Sequence, residues 1–593
     1  MSVVKKLIIF FSRERLNQVI ILFLGAIIMA LIEVVGVASI IPFISAVTNP
    51  EIIQENKYLQ SAYVFFEFND SNQFIIGMGG LVLILLIIGN TFSAIMNWRI
   101  ARFSQMQIHY ISTKLLTQYL DQPYIFFLNH NSSDLSKNIH FEVQRCVGGI
   151  VLPLMQALSR AVVTILLIAL LIIVDPIIAI TVIFLLGSSY WIIYTFARKK
   201  LNSIGESSTK TVQRRFKIAS EAMAGIKDIK LRNIEPDFIS RFSYASKKNA
   251  EYATLSNVIS ATPRYALELI AFGGIISIMI FLVGSGQQGS EIIPRISLYA
   301  LAGYRLMPAL QQIYAALANI KFHLPLLNIL VDELQETSLA GIVKNDLSSV
   351  NFHTKIQLKS ISFQYANTNL PTIDKLNMEI IQNTTVGIVG VTGSGKTTLV
   401  DIILGLLPIE SGEILADKVL INSSNVHNWQ KNFGYVPQNI YLTDNTIAQN
   451  IAFSASEEMV DLDKVIEASK LARLDEFVQT LPEKYNTLVG ERGVRLSGGQ
   501  IQRIGIARSL YNNPKILVLD EASSSLDGIT ENVVMDAIHN LAHKKTIIII
   551  AHRMASIKEC DVIYMIDSGK ITASGSYEEL IENNKQFRKM ANV

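Results

Sequence analysis

The hydrophobic pattern divides the chain into two parts. Through about the first 320 residues, long apolar stretches alternate with polar segments, and six stretches reach the roughly 20 residues that a helix needs to cross a ~30 Å bilayer core. They cover approximately residues 19–47, 74–96, 148–174, 176–196, 266–284 and 292–320. Further on, short apolar runs alternate with polar residues, as in a soluble α/β domain. We predict a transmembrane domain at 1–322, a linker at 323–353 and an α/β domain at 354–593.

The distribution of charge around these stretches predicts their orientation. Cytoplasmic segments next to membrane spans carry an excess of Lys and Arg, and the amino terminus has Lys5, Lys6, Arg13 and Arg15. The segment between the first two spans has four acidic residues and one lysine, so we expect it to face outward. Within it, residues 51–66 are either a short helix at the outer interface or an ordinary loop. The prediction is a multi-pass membrane protein with the amino terminus and the α/β domain in the cytoplasm.

The connections after the second and fourth spans are long, polar and helical in their spacing. We predict that they extend the spans into the cytoplasm and turn near residues 126–134 and 222–232. These tips are the expected points of contact with the α/β domain.

Ionisable side chains interrupt the apolar stretches. A charge at bilayer depth is costly and normally faces a bundle interior or a wet cavity, although snorkelling and internal ion pairs are alternatives. Arg264 lies near the end of a span, where snorkelling is easy, whereas the others lie nearer span centres. Arginines that face a cavity suit a phosphate or diphosphate group. The predicted substrate residues are Glu33, Arg160, Arg264, Glu268 and Arg305.

Composition excludes several classes of protein. Half of the residues are hydrophobic and 17% are charged, against about 25% in typical soluble domains, which excludes a disordered chain. The mean hydropathy is +0.35. A net charge of +3 gives no indication of a nucleic-acid partner. The two cysteines are too few for a disulfide framework or a Cys-based zinc site.

A phosphate-binding loop follows the apolar run 385–389. Its spacing matches the Walker A motif, with a predicted strand before it and a helical pattern after it. Backbone N–H groups of such a loop surround phosphate oxygens, and the following helix adds partial positive charge. Lys396 is expected to reach the β- and γ-phosphates and Thr397 to bind Mg²⁺. The loop residues predicted to bind the nucleotide are Gly390, Gly393, Ser394, Gly395, Lys396, Thr397 and Thr398.

A second acidic element follows the apolar run 516–519. Asp520 lies at the carboxyl end of this predicted strand, where ligands bind in open α/β sheets, and we expect it to hold Mg²⁺ through water. Glu521 is next in the chain and can polarise an attacking water as a general base.

The sequence Leu496-Ser-Gly-Gly-Gln500 resembles the signature of the ATP-binding cassette (ABC) transporter family. Six spans followed by one such cassette resemble an exporter half-transporter, which implies an ATP hydrolase coupled to transport. The resemblance implies a homodimer, because in this family the signature closes on the ATP that is held by a second cassette. The residues that would close on it are Ser497, Gly498, Gly499 and Gln500.

The same resemblance assigns three further nucleotide-site residues. Tyr365 is similar to the aromatic residue that stacks on adenine, although a strand core residue is the alternative. Gln438 resembles the glutamine that senses Mg²⁺ and the γ-phosphate. His552 resembles the switch histidine of the catalytic site.

Short matches in the membrane half narrow the resemblance. Residues 32–44, 263–268 and 304–308 look like the bacterial flippases of lipid-linked oligosaccharides. This implies that cavity arginines accept a diphosphate-oligosaccharide head group while the polyprenyl tail stays in the lipid. Another lipid, a glycolipid, a peptide or a drug is the alternative cargo. An ATP-dependent membrane sensor or channel is the alternative class, and the intact Glu521 argues against a channel that only gates on ATP.

Overall fold

The computed structural model describes residues 3–10, 13–174, 176–284, 289–339, 350, 352–366, 368–453, 457–521, 535–536, 538–551 and 553–591. The chain forms two compact units. The first comprises Met1–Gln122 and Phe126–Ala340, and the second comprises Pro123–Ile125 and Gly341–Val593.

The first unit is helical in its described part, which confirms the predicted class of fold for this half. In chain order, the helices up to the end of this unit are α1 (Val3–Phe10), α2 (Arg13–Ala38), α3 (Ile40–Thr48), α4 (Ile52–Glu55), α5 (Lys57–Phe65), α6 (Ser71–Leu120), α7 (Tyr124–Asn129), α8 (Ser132–Lys137), α9 (Val143–Cys146), α10 (Leu152–Val174), α11 (Pro176–Ala224), α12 (Ile226–Arg232), α13 (Glu235–Ala261), α14 (Pro263–Gly284) and α15 (Gly289–Leu339). Two π-helical segments, Asn138–Glu142 and Val147–Val151, flank α9 and join α8 to α10.

Four helical stretches of the described chain are long and apolar enough to cross a membrane: Arg15–Thr48, Ser71–Leu120, Ser132–Val174 and Gly303–Gln335. The other two predicted spans fall within α11 and α14, and their crossing of the membrane stays a prediction. The turns predicted at Asp175 and at residues 285–288 lie outside the described residues.

The segment between the first two spans is helical over α4 and α5. Asn56 caps α5, because its side chain accepts hydrogen bonds from the backbone N–H groups of Tyr58 and Leu59. Of the two alternatives for this segment, the structure therefore has the helix, whereas its place at the outer interface stays a prediction. Short helices also occupy the two predicted tips, α7 and α8 at the first and α12 at the second.

Helix α15 continues through the first half of the predicted linker. Leu326, Leu330 and Leu334 recur every four residues and are buried on one face of this helix. That spacing gives a helix a continuous apolar stripe, which accounts for its extension to Leu339.

The second unit contains two β-sheets. The first is antiparallel, in the order β2 (Ile373–Ile381), β1 (Lys355–Phe363), β4 (Ser411–Ala416), β5 (Val419–Leu420). The second has the order β10 (Lys570–Gly575), β9 (Val562–Asp567), β3 (Thr385–Val389), β8 (Thr546–Ile550), β7 (Ile516–Asp520), β6 (Phe433–Val436). Strands β9, β3, β8, β7 and β6 are parallel, and β10 is antiparallel to β9.

Helices cover the parallel sheet. They are α16 (Lys396–Ile403), α17 (Val426–Gln430), α18 (Ile447–Ala452), α19 (Leu462–Leu471), α20 (Asp475–Gln479), α21 (Gly498–Leu510), α22 (Tyr577–Asn583) and α23 (Lys585–Met590), with 3₁₀ turns at Glu457–Met459, Lys484–Asn486, Glu491–Gly493 and Met554–Ile557. Successive strand residues face opposite sides of a sheet. Leu517 and Leu519 of β7 accordingly pack with α21, whereas Ile516 and Val518 pack with α16 and the antiparallel sheet.

Candidate functional site

The loop between β3 and α16 has the backbone that a phosphate-binding loop requires. Gly393 and Gly395 adopt φ angles of +82° and +103°, a region that side-chain-bearing residues rarely enter. A Cβ atom on Gly390 would collide with the backbone oxygen of Ile566. Glycine is therefore required at these three positions, and the loop keeps its backbone N–H groups free of covering side chains.

Two buried polar groups face this loop. The ammonium group of Lys396 donates hydrogen bonds to the backbone oxygens of Gly390, at 2.9 Å, and Val391, at 3.1 Å. Burial lowers the pKa of Lys396, while the carboxylates of Glu521 and Asp520 oppose that shift. The Ser394 hydroxyl is buried and has no hydrogen-bond partner within the described chain. A phosphate group would satisfy both side chains, so the loop fits a nucleotide.

The beginning of α16 places Thr398 next to Tyr365 and leaves Thr397 at the surface. Thr397 is exposed, as its predicted role as an Mg²⁺ ligand requires, whereas Thr398 is buried. The Tyr365 hydroxyl lies 3.2 Å from Thr398 Oγ1, and its ring meets the Phe363 ring edge-on. Tyr365 is thus next to the phosphate loop and half-buried, and its stacking on adenine stays a prediction.

The carboxyl ends of β6 and β7 bring the other predicted catalytic residues together. The Gln438 amide donates a 2.6 Å hydrogen bond to the Glu521 carboxylate. Asp520 is buried and accepts a hydrogen bond from the Tyr435 hydroxyl, at 3.3 Å. Because β3, β8, β7 and β6 are neighbours in one parallel sheet, their carboxyl ends lie along the same edge. His552, which follows β8, lies outside the described residues.

The electrostatics of this edge suit a bound cation. Burial and the neighbouring Asp520 carboxylate raise the pKa of Asp401, on α16, to about 6. The described residues contain no group of three or more His, Cys, Asp or Glu side chains arranged for a metal. Mg²⁺ in nucleotide sites takes one or two protein ligands together with phosphate oxygens and waters, and Thr397 and Asp520 have the chemistry of such ligands.

The signature residues form the amino-terminal cap of α21. Ser497 accepts a hydrogen bond from the Gln500 backbone N–H, and the Gln500 side chain accepts one from the Ser497 N–H. Ser497 and Gly498 are exposed, whereas Gly499 is buried. The first turn of α21 therefore presents unpaired N–H groups and the positive end of a helix dipole to the surface, where an anion can bind.

Three of the five charged residues predicted to bind substrate form one cluster in the first unit. The Glu33 carboxylate, which is 6% exposed, lies 3.7 Å from Arg160 and 3.9 Å from Arg305. The Ser93 hydroxyl donates a 2.7 Å hydrogen bond to Glu33. The two arginine side chains remain about one-fifth exposed. The internal ion pair considered from the sequence is thus present, with arginine surface still accessible.

Two amides complete this cluster and were missed by the sequence analysis. Arg160 donates to Gln312 at 2.9 Å, and Arg305 donates to Asn90 at 3.3 Å. Asn90 and Ser93 are one helical turn apart in an apolar stretch, a signal that could have identified them. Arg264 and Glu268 form a separate pair within α14, 2.7 Å apart.

Comparisons with known proteins agree with this arrangement. Residues 13–292 match the family model of the ABC transporter transmembrane region, and residues 373–524 match that of the ABC transporter. A solved structure described as a bacterial Atm1-family ABC exporter with ATP bound has a TM-score of 0.76, with 98% of each chain covered and 21% sequence identity, and so shares the fold.

Several relatives carry the name ATP-dependent lipid A-core flippase. The protein from Saccharophagus degradans is 30% identical over 65% of each chain, and that from Burkholderia orbicola is 28% identical over 81% of each chain. The chain spans less than two thirds of the length of several curated relatives, with 65%, 50% and 40% of three of them covered.

Both halves of the chain thus match the same kind of transporter, in the order predicted from the motifs. The matches confirm the predicted fold class and support the predicted enzyme class, ATP hydrolysis coupled to transport. The chain belongs to the ABC transporter family, as an exporter-type half-transporter that combines a transmembrane region and an ATP-binding domain in one polypeptide.

Proposed function

We propose that two copies of this chain hydrolyse ATP to flip a polyprenyl-diphosphate-linked oligosaccharide outward across the bacterial cytoplasmic membrane. The observation that carries the substrate class is the Glu33–Arg160–Arg305 cluster. Two guanidinium groups share one carboxylate within helices apolar enough to cross a membrane, which leaves a positive charge for an anionic head group. The relatives named as lipid A-core flippases support a lipid as the cargo.

In this proposal, the nucleotide is held by the loop from Gly390 to Thr398, and Tyr365 stacks on its adenine. Lys396 binds its terminal phosphates. Thr397, Asp520 and Gln438 are the residues that would hold Mg²⁺, which would supply charge neutralisation at the phosphate oxygens. Glu521 accepts a proton from the attacking water, and the hydrogen bond from Gln438 positions the Glu521 carboxylate. His552 contacts the γ-phosphate.

The dimer follows from the exposure of the signature residues. Ser497 and Gly498 are at the surface, and the Ser497 hydroxyl and the Gly498 N–H would meet the γ-phosphate held by a second copy. ATP then joins the two ATP-binding domains, and hydrolysis removes the phosphate that bridges them. A monomer in the presence of ATP, or unchanged turnover in Glu521→Gln, would contradict this part of the proposal.

Flipping in proteoliposomes tests the cargo. Fluorescent polyprenyl-diphosphate glycan should cross the bilayer in an ATP-dependent manner, faster than lipid A-core or a glycerophospholipid. We expect Arg305→Ala, alone and with Arg160→Ala, to reduce flipping about tenfold or more, because a charge-assisted hydrogen bond contributes roughly 1.5–3 kcal/mol.

Arg241→Ala is the matched control, because Arg241 is also ion-paired, to Asp237, but is exposed on α13. It should flip normally. Arg264→Ala reports whether the second pair, on α14, also contributes to the site. Normal flipping in the double variant of Arg160 and Arg305 would exclude head-group binding by the cluster.

A further inference from the structure

An apolar cavity of about 320 Å³ lies in the first unit between α10, α11 and α15. This volume is roughly twice that of the ~150 Å³ engineered cavity that takes up benzene. Its walls include Leu171 of α10, Ile183 and Trp191 of α11, and Leu310 of α15. The cavity therefore has room for a segment of hydrocarbon chain and a lining that suits one.

Two tyrosines give this cavity a polar side. The rings of Tyr190 and Tyr314 both line it, with their centroids 5.7 Å apart. Their hydroxyl groups are buried and have no hydrogen-bond partner among the residues that the structure describes. Buried hydroxyls normally have partners, and these two are polar groups within a largely apolar lining.

The cavity and the charge cluster occupy neighbouring faces of α15. Arg305 and Gln312 are seven residues apart and share one face of the helix. Leu306 and Leu310, which line the cavity, are rotated from Arg305 by about 100–140°, given 3.6 residues per turn. An anionic group at Arg305 is thus beside the apolar space on the same helix.

Charge complementarity selects the kind of molecule that fits both places. Glu33 neutralises one of the two arginines, which leaves one positive charge beside the cavity. A molecule with a phosphate group followed directly by a long hydrocarbon chain matches the charge at Arg305 and the apolar wall that begins at Leu306.

We propose that the cavity binds the phosphate-proximal part of the polyprenyl chain of the transported lipid. This identification of the occupant rests on the proposed function. The first isoprene units leave the bilayer and enter the protein at Leu306, while Arg160 and Arg305 hold the phosphate groups. The rest of the chain stays in the membrane.

Gly187→Leu is the variant that tests this site. Gly187 lines the cavity, and a Cβ atom added to it would meet no atom within 4 Å, so a leucine side chain can fill the space without displacing the helix. Gly80→Leu is the matched control, because Gly80 on α6 is equally free of contacts but does not line the cavity. Leucine favours helix more than glycine does in both variants.

The measurement is photo-crosslinking of the full chain in vesicles. The probe is a polyprenyl diphosphate with a diazirine in its first isoprene unit, and labelled positions are read by peptide mass spectrometry. We expect labelling of Tyr190, Tyr314 or their cavity neighbours in the wild type and in Gly80→Leu, and a loss of at least fivefold in Gly187→Leu. A phosphatidylglycerol with a diazirine near its head group should label these positions weakly.

Four outcomes would overturn the proposal. They are an unlabelled cavity, labelling spread evenly over lipid-facing positions, labelling unchanged in Gly187→Leu, and equal labelling by phosphatidylglycerol. If wild-type protein flips the glycan lipid while the cavity remains unlabelled, the cavity proposal fails and the proposed function stands. If no glycan lipid is flipped but cavity labelling depends on Gly187, the proposed function fails and the binding site stands.

Discussion

At the scale of single residues, the glycines of the ATP-binding domain differ in how much space their surroundings leave for a side chain. Ser497 and Gly498 are exposed at the start of α21, and a Cβ on Gly498 would meet no atom within 4 Å. The positions buried in the phosphate loop, such as Gly390, have no such tolerance. A substitution at Gly390 should therefore disturb folding, whereas one at Gly498 should affect catalysis alone.

Gly498→Ala should fold as the wild type does and lose most of its ATPase activity. The added methyl group has space in one chain but would lie where a second copy's nucleotide approaches, so we expect turnover to fall about tenfold or more with an unchanged thermal midpoint. Steady-state phosphate release and thermal unfolding measure the two effects. Wild-type turnover would show that no phosphate comes near this surface.

Asp417 makes the free energy of unfolding of the second unit depend on pH in the acid range. Burial raises its pKa, but hydrogen bonds from the Thr354 hydroxyl and from the backbone N–H groups of Lys355, Thr354 and His353 outweigh burial and lower it to about 2. Because the folded pKa lies below the unfolded value of ~3.9, this carboxylate stabilises the fold above ~pH 3.9, and its contribution disappears as the pH falls through about 2.

Asp417→Asn should consequently be less stable than the wild type at pH 6, by about 1 kcal/mol or less because solvent screens this partly exposed site, and the two proteins should converge as the pH approaches 2. Thermal unfolding of the full chain in detergent between pH 6 and pH 2.5 follows both. A difference that is constant with pH would show that the carboxylate charge is not responsible.

At the scale of elements, close helix packing holds the first unit together around residues 322–323 of α15. A Cβ on Gly149, in the π-helical segment, would collide with the His323 ring, and one on Gly205 of α11 would collide with the Phe322 backbone. His323 is fixed in turn, because its Nδ1 lies 3.0 Å from the Asn319 backbone oxygen. Small residues thus let three helical segments approach closely.

Gly149→Ala should destabilise the first unit, by about 1–3 kcal/mol, because an overpacked site forces the ring or the helix to move. Its neighbour Gly148 is the control, since a Cβ there would meet no atom within 4 Å, and Gly148→Ala should remain within ~0.5 kcal/mol of the wild type. Thermal unfolding in detergent compares them, and equal midpoints would refute the close contact.

What the sequence could predict depends on how local each feature is. The phosphate loop is a continuous stretch whose strand, glycines and helix are all encoded nearby, so its shape was predictable. The charge cluster joins Glu33 of α2, Arg160 of α10 and Arg305 of α15. The sequence could identify each charge as unusual in its apolar stretch, but the pairing depends on helix packing between distant segments.

The predicted linker at 323–353 begins as a helix, which its polar composition does not indicate. Residues 323–339 belong to α15, because the buried leucines at 326, 330 and 334 keep a helical period among charged neighbours. The sequence contains no pattern that predicts the two π-helical segments, since an extra residue in a helical turn hardly changes the spacing of apolar positions.

At the scale of the whole molecule, composite nucleotide sites can be tested by mixing two defective chains. Lys396→Ala removes the phosphate ligand and Ser497→Arg blocks the signature surface, so neither homodimer has an intact site. If each site combines Lys396 of one copy with Ser497 of the other, a mixed dimer regains one intact site.

We expect differently tagged chains that also carry Glu521→Gln, so that bound ATP is not hydrolysed, to retain about one ATP per dimer after co-expression and purification by both tags, whereas either homodimer in the same background should retain almost none. Radiolabelled nucleotide retained after gel filtration is the readout. Absence of ATP from the mixed dimer would indicate that both residues act on the nucleotide of their own chain.

The three longest helices, α6, α11 and α15, have 50, 49 and 51 residues without a break. At 1.5 Å per residue each is a rod of roughly 75 Å, about two and a half times the ~30 Å thickness of a bilayer core. A rod of that length works as a lever, since a tilt of ~10° about one end sweeps the other end through roughly 13 Å. Modest rotations at one end of these helices can therefore produce displacements the size of a sugar ring or larger at the other.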